Sequence, residues 1–169
     1  MSSSEDELSH FKPSGLLYSN SAIQDNRNSH NTHNTHNTLN THNSLKYFEC
    51  EDACNPRRHS NSFKLFIFKD KTVQETVDLS LRSYFRLGRD DKLNQIPLLH
   101  QSVSSQHAVL QYRLREGRCR LYLMDLDSSN GTRINGETME AKRFYEILDG
   151  DVVNFGASTR DFVFMKSTQ

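Results

Sequence analysis

Short apolar runs separated by turn residues make up the chain from about residue 63 onward, with no sustained 3.6-residue helical period. The runs are rich in β-branched and aromatic residues, which suit the half-buried surface of a pleated sheet. They predict nine β-strands, at 63–69, 76–79, 84–88, 107–114, 118–126, 132–134, 144–148, 151–155 and 161–166. Strands this short and frequent predict an all-β fold, a sandwich of two antiparallel sheets whose loops gather at the strand ends.

Three dipeptides between these runs combine a polar residue with a glycine: Glu116-Gly117, Asn135-Gly136 and Asp149-Gly150. Glycine tolerates a positive φ, and Asn-Gly is the strongest short-range signal for a β-hairpin. The dipeptides therefore predict tight turns between successive strands.

Core-forming residues are concentrated in the C-terminal part of the chain. All seven Val, four of the five Ile and eight of the ten Phe lie after position 62 of the 169 residues. By contrast, residues 28–44 contain only Asn, Thr, His and Ser apart from Leu39, so they can bury little to offset the entropy of ordering. We therefore expect a disordered tail over 1–60, with a low-complexity spacer at 28–44, followed by one domain over 61–169.

Composition excludes several functional classes. The chain has 21 basic and 21 acidic residues, and its net charge is −2 up to residue 59 and +2 after it. Bulk attraction to nucleic acid or an anionic membrane is therefore excluded. The sequence has no basic stripe and no aromatic stacking motif for RNA. It also has no run of 18 apolar residues, and its N-terminus lacks the features of a signal peptide, which predicts a soluble intracellular protein.

The three cysteines, Cys50, Cys54 and Cys119, are an odd number in a chain without an export signal, so the sequence predicts reduced thiols. Cys50 and Cys54 followed by His59 could be half of a zinc site, but no second ligand pair follows at a suitable spacing. We expect no metal and no cofactor.

Three segments at predicted strand ends carry residues suited to binding an anion. Gly88-Arg89 offers a flexible backbone and a rigid fork of donors. The segments 102–107 and 127–132 supply hydroxyl and amide groups, including Ser104, Ser129 and Asn130. A phosphate on threonine is close to a dianion with three acceptor oxygens, so it requires an Arg fork and neutral donors rather than a broad positive surface.

These residues, in this order, resemble the sparse pattern of the forkhead-associated (FHA) domain, a phosphothreonine-binding β-sandwich. The matching elements are Gly88-Arg89, then Ser104 and His107 three residues apart, then Asn130-Gly131. The resemblance covers about residues 63–166 and implies an FHA-type sandwich. It implies phosphate binding by Arg89 with Ser104, Ser105 and Ser129, a contact from Asn130 to the peptide main chain, and structural support of the site by Gly88, His107 and Gly131.

Longer stretches narrow the resemblance to the FHA proteins of the nuclear pre-mRNA retention and splicing (RES) complex. They include Ile96-Pro97, the segment 106–113, the segment 125–132 and the segment 158–163. A short motif at about 9–18 is similar to the peptide by which these proteins attach to the complex's RNA-recognition-motif subunit. Its residues are Phe11, Pro13, Ser14, Gly15, Leu16 and Leu17.

Simpler interpretations stand beside these. Arg89 could form a surface ion pair with Asp90 or Asp91, and the Ser and Asn side chains could only stabilise turns. A nucleophile, base and acid are present in Ser104, His107 and Asp125 or Asp127, but the sequence has no Gly-x-Ser-x-Gly elbow, so a hydrolase is not expected.

The sequence thus predicts a nuclear, non-enzymatic module that is a monomer by itself. Its expected partners are a phosphothreonine-containing protein and the RNA-recognition-motif subunit of the RES complex, with neither membrane nor strong nucleic-acid binding. The alternative is a generic FHA adaptor in kinase or DNA-damage signalling.

Overall fold

The computed structural model of the protein describes residues 44–167. This part of the chain contains eleven β-strands and two short 3-10 turns, Pro56–Arg58 and Leu79–Leu81. The strands are β1 Phe63–Lys69, β2 Thr72–Asp78, β3 Tyr84–Gly88, β4 Ile96–Pro97, β5 Ala108–Arg115, β6 Arg118–Asp125, β7 Thr132–Ile134, β8 Glu137–Thr138, β9 Phe144–Glu146, β10 Val152–Phe155 and β11 Asp161–Lys166.

The strands form two sheets, which confirms the predicted all-β sandwich. One sheet has the order β2-β1-β11-β10-β7-β8, and the other has the order β4-β3-β5-β6-β9. The strand pairs are antiparallel except for β3 and β4, which run parallel.

The main core lies between the two sheets and follows from the two-residue period of the strands. In β6, Cys119, Leu121 and Leu123 are buried while the residues between them are partly exposed. They join Leu65 of β1 and Phe164 of β11, from the other sheet, in one hydrophobic cluster. Each Leu or Phe side chain of this cluster stabilises the fold by about 1.5–3 kcal/mol when fully buried.

The predicted strands agree well with the observed ones, with instructive exceptions. Four predicted ranges match the observed bounds, and four others differ by no more than two residues at either end. The prediction for β2 was wrong at its start, because the strand begins at Thr72 after a turn in which Asp70 and Lys71 adopt positive φ without a glycine. The two-residue strands β4 and β8 were missed, since they are too short to show a period.

The predicted glycine turns are present. Glu116 and Gly117 join β5 to β6, and Asn135 and Gly136 join β7 to β8, with positive φ at all four residues. Positive φ at both central positions matches the right-handed twist of the flanking strands.

We call residues 44–54 the N-terminal strap. They belong to the folded unit, although the sequence predicted that the domain begins at residue 61. The strap packs on the outer face of β5, where the Tyr47 hydroxyl donates to Gln111 Oε1 at 2.8 Å and Asp52 pairs with Arg113 at 2.8 Å. Five consecutive residues of β5, 108–112, are buried, so both faces of this part of the strand are covered. The folded unit thus begins well before residue 61, because the strap covers apolar and polar groups that the sheet would otherwise expose.

The prediction of three reduced thiols was wrong. Cys54, at the end of the strap, forms a disulfide with Cys119 of β6, across 65 positions in sequence, and Cys50 is free. Sequence spacing could not show this pairing, because the sandwich fold brings the two buried sulfurs together. The disulfide also makes Cys54 unavailable as a zinc ligand. No cluster of three metal-ligating side chains occurs within residues 44–167.

The predicted docking peptide at 9–18 and the spacer, apart from Ser44, lie outside the described residues. None of the helical segments between residues 44 and 167 is long and apolar enough to cross a membrane.

Candidate functional site

Three loops meet around one polar concavity. The first begins at Arg89 after β3, the second spans 98–107 between β4 and β5, and the third spans 126–131 between β6 and β7. The concavity has a volume of about 290 Å³. Its lining residues are Lys46, Arg89, Gln101, Ser102, Val103, Ser104, Ser105, Ser129 and Asn130.

The lining favours an anion. All five residues predicted to bind the phosphopeptide, Arg89, Ser104, Ser105, Ser129 and Asn130, contribute to it. Of the residues that the structure describes, two cationic side chains and no carboxylate line the concavity. Lys46 and Gln101 were not predicted, whereas Ser102 and Val103 were predicted only as part of the anion-binding segment 102–107. Lys46 could not be placed from sequence because the strap was assigned to the tail.

Arg89 presents a guanidinium that is not paired with any carboxylate within residues 44–167. Its side chain is exposed and forms no salt bridge with any acidic residue between positions 44 and 167, so the predicted alternative of an ion pair with Asp90 or Asp91 is absent. Asp90 instead accepts a hydrogen bond from the Lys92 backbone N–H at 2.9 Å. The fork of donors on Arg89 can therefore face a ligand.

Gly88 allows the first two loops to approach each other closely. A Cβ at this position would lie 2.3 Å from the backbone oxygen of Ser105 and 2.9 Å from Asn94 Nδ2. The next residue, Arg89, donates its backbone N–H to Ser104 O at 2.9 Å, and Asp90 donates to Ser105 O at 3.2 Å. Glycine is required here by close packing rather than for the backbone flexibility that the sequence suggested.

Hydroxyl and amide groups link the second and third loops. Ser104 Oγ accepts the Ser129 backbone N–H at 3.0 Å and lies 3.5 Å from Ser129 Oγ. Asn130 Nδ2 donates to Ser102 O at 2.8 Å. The contact between the two hydroxyls is too long to be a strong hydrogen bond, so both can turn toward an acceptor in the concavity.

The side chain of His107 joins the second and third loops from the buried side of the site. Its fully buried ring accepts the Ser104 backbone N–H at Nδ1 (3.1 Å) and donates from Nε2 to Gly131 O (3.2 Å), which defines a neutral imidazole with its proton on Nε2. Burial lowers the pKa of His107, and the attraction of Asp125, whose Oδ2 lies 3.7 Å from Nε2, only partly opposes this effect. The ring therefore stays neutral near pH 7 and lies beneath the loops rather than in the concavity lining.

The family model described as the FHA domain matches residues 85–156. The matched range begins within β3, ends just after β10 and contains every predicted phosphopeptide-binding residue. This part of the chain is an FHA domain.

Two similar proteins extend the comparison beyond the FHA domain. Smad nuclear-interacting protein 1 from Mus musculus is 36% identical over 130 residues, covering 72% of this chain and 33% of that protein. Pre-mRNA leakage protein 1 from Saccharomyces cerevisiae is 29% identical over 184 residues, covering 92% of this chain and 82% of that protein. The chain thus spans about a third of the first relative and most of the second.

Two solved structures are similar in fold to this chain. The structure described as "the yeast Pml1 splicing factor and its integration into the RES complex" superposes with a TM-score of 0.68 at 29% identity, over 75% of this chain and all of that one. The FHA domain of MEK1, solved with the HOP1 pThr318 peptide, has a TM-score of 0.50 at 25% identity, over 62% of this chain and 97% of that one.

Asp125 organises the third loop of the FHA domain. Its buried carboxylate accepts hydrogen bonds from the Ser128 backbone N–H (2.8 Å), Ser128 Oγ (2.7 Å) and Thr132 Oγ1 (2.5 Å). Asp127 and Gly131 within this loop adopt positive φ, and Gly131 is the residue that can do so without steric cost. The Asp-x-Asp-Ser-Ser-Asn-Gly-Thr order in the sequence is the signal from which this network could have been found.

The geometry does not support the hydrolase alternative. Ser104 Oγ bonds to Ser129, and the His107 ring takes the backbone N–H of Ser104 instead of its hydroxyl. A serine nucleophile needs its hydroxyl hydrogen-bonded to the base. Within the FHA domain, Ser104, His107 and Asp125 hold two loops together.

Proposed function

We propose that this protein is a non-enzymatic module that binds phosphothreonine-containing peptides through Arg89, Ser104, Ser105, Ser129 and Asn130. The observation that carries the proposal is that these five side chains, drawn from three separate loops, line one concavity to which no carboxylate from residues 44–167 contributes. A ligand with one concentrated negative charge and several acceptor oxygens fits such a set of donors.

The charge arithmetic favours phosphate over a neutral peptide. A phosphothreonine carries about −1.5 to −2 charges at pH 7 with three strong acceptor oxygens. Hydrogen bonds to a charged group contribute about 1.5–3 kcal/mol each, roughly twice a neutral bond. Arg89 would supply the charge-assisted pair, the serines would complete the phosphate cage, and Asn130 would hold the peptide main chain.

We further propose that the protein is a nuclear subunit of the pre-mRNA retention and splicing complex. The similarity to yeast Pre-mRNA leakage protein 1 over 92% of this chain supports this role, as does the structure that describes Pml1 integrating into the RES complex. Attachment would run through the peptide that includes Phe11 and Leu16, which binds an RNA-recognition-motif subunit in this proposal.

A peptide pulldown separates this role from that of a generic FHA adaptor in kinase or DNA-damage signalling. An immobilised peptide spanning residues 9–18 should retain the RNA-recognition-motif subunit, and a variant with Phe11 and Leu16 changed to Ala should not. If neither peptide retains the subunit while the FHA domain still binds phosphopeptides, the generic adaptor role is correct.

The phosphopeptide proposal is tested with a degenerate phosphothreonine peptide library screened against residues 44–169, which retain the strap. Wild-type protein should select phosphorylated over unphosphorylated peptides, and Arg89→Ala should lose this selection with an unchanged melting temperature. Arg118→Ala on β6 removes an equivalent exposed charge away from the concavity and serves as the matched control. Equal binding by Arg89→Ala and Arg118→Ala would refute the proposed site.

A further inference from the structure

The N-terminal strap adds a second cation to the concavity. Lys46 lines it together with Arg89, although the two residues are 43 positions apart and Lys46 lies outside the range matched by the FHA family model. We infer that Lys46 is a further phosphate-binding and specificity-determining residue, and that the strap positions it. This inference rests on the proposed phosphopeptide function.

Gln106 fixes the backbone on both sides of Lys46. Its side-chain oxygen accepts the Lys46 backbone N–H at 2.8 Å, and its side-chain nitrogen donates to Ser44 O at 3.0 Å. Gln106 is itself buried and directly follows Ser105. The strap is therefore held in register with the same loop that carries Ser104 and Ser105.

The next residue of the strap is anchored in the domain. Tyr47 is buried in a small cluster with Val109 and Leu126, and its hydroxyl donates to Gln111 Oε1 at 2.8 Å. Lys46 thus lies between Ser44, which Gln106 holds by a hydrogen bond, and the buried Tyr47. Its backbone is already ordered, so a ligand would need to order only the side chain, which lowers the entropic cost of binding.

The Lys46 ammonium lies beside the third loop and is only lightly engaged by groups from the described part of the chain. Lys46 Nζ donates to Leu126 O at 3.3 Å, a long hydrogen bond that uses one of its three donors. Asp127, a carboxylate of the third loop, is paired with Lys142 at 3.0 Å. The pKa of Asp127 is lowered mainly by its hydrogen bond and ion pair with Lys142, and Lys46 adds a smaller effect in the same direction.

Two cations match the charge of a phosphate better than one. Phosphothreonine is close to a dianion at neutral pH, whereas a glutamate used to mimic it is a monoanion. With Arg89 and Lys46 on the lining of one concavity, the second charge of phosphate has its own partner. The site should therefore discriminate phosphothreonine from glutamate more strongly with Lys46 than without it.

Fluorescence anisotropy with a phosphothreonine peptide selected from the degenerate library tests the inference. We expect Lys46→Ala to weaken binding about 3- to 10-fold in low salt, the loss of one partly screened charge interaction, and Lys46→Arg to bind within about 2-fold of wild type. The affinity of Lys46→Ala should also depend less steeply on salt. Lys64→Ala on the exposed face of β1 removes the same charge elsewhere and should bind like wild type.

A second variant tests the role of the strap. Gln106→Ala keeps the lysine but removes both bonds that position it, so it should reproduce the loss seen in Lys46→Ala whenever its melting curve still shows a folded protein. A melting curve is recorded for each variant.

The outcomes distinguish this inference from the function on which it rests. If wild-type protein binds no phosphothreonine peptide, the proposed function and this inference both fail. If wild type binds and Arg89→Ala does not, while Lys46→Ala matches wild type in affinity and in salt dependence, the proposed function stands and the assignment of Lys46 is overturned.

Discussion

His107→Ala separates a residue that supports the site from one that binds the ligand. The substitution removes a fully buried ring and leaves two partners, the Ser104 backbone N–H and the Gly131 carbonyl, without their hydrogen bonds. It also removes the edge-on contact with Phe155, whose ring centroid lies 5.5 Å away. We therefore expect lower stability and, because the two loops are no longer joined, weaker phosphopeptide binding.

The magnitude follows from these contacts. The unpaired Ser104 N–H and Gly131 carbonyl cost about 1–3 kcal/mol together, because each group is only half-buried. Loss of the edge-on aromatic pair costs about 0.5–1.5 kcal/mol more. The free energy of unfolding should therefore fall by about 2–4 kcal/mol, out of the 5–15 kcal/mol typical of a domain. Urea denaturation at pH 7.5 measures this loss, and His59→Ala, which removes an exposed ring, is the matched control.

The same residue predicts a pH dependence with a defined sign. Burial holds the pKa of His107 below that of an unfolded histidine, about 6.5, so the unfolded chain takes up a proton first. Wild-type stability should therefore fall as the pH drops from 7.5 toward 5.5, by at most about 1.4 kcal/mol per pH unit from this group. His107→Ala should lose this part of the slope. Equal stability of His107→Ala and His59→Ala at pH 7.5 would refute the bridging role.

Two further substitutions address the fold around the site. Gly88→Ala places a Cβ 2.3 Å from the Ser105 carbonyl oxygen, so we expect a loss of about 1–3 kcal/mol or more together with weaker phosphopeptide binding; unchanged urea midpoints would contradict the close approach. Reduction of the Cys54–Cys119 disulfide, which closes a loop across 65 positions, should lower the free energy of unfolding by about 2–4 kcal/mol. Urea curves with and without a reducing agent measure this change, and a Cys54→Ala, Cys119→Ala double variant that does not respond to reduction is the control.

The alternation of apolar and polar residues along the chain predicted most of the fold. Alternating buried residues in β6 and the Asn135-Gly136 turn are local features, and both carried enough information to place their elements. The turn at Asp70 and Lys71 escaped prediction because two ordinary residues adopt the positive φ usually left to glycine. β2, which follows it, is an exposed edge strand without the alternation that marks a half-buried one.

The site could be predicted only where its residues belong to the sandwich loops. Arg89, Ser104 and Asn130 lie at strand ends and fit a known spacing, so the sequence pointed to them. Lys46 and the disulfide partner Cys54 lie in a strap that was assigned to the tail, although six of its eleven residues are apolar. Their positions are set by long-range contacts with Gln106, Gln111 and Cys119, which no local pattern reports.

The most direct test of the account is an amide chemical-shift titration of the ¹⁵N-labelled folded unit, residues 44–169, with a library-selected phosphothreonine peptide. The account predicts that the largest shifts fall at residues 89, 104, 105, 129 and 130, and that the unphosphorylated peptide leaves these amides unchanged. Shifts concentrated elsewhere on the sandwich, or equal shifts with both peptides, would contradict the claim that three loops converge on one phosphate.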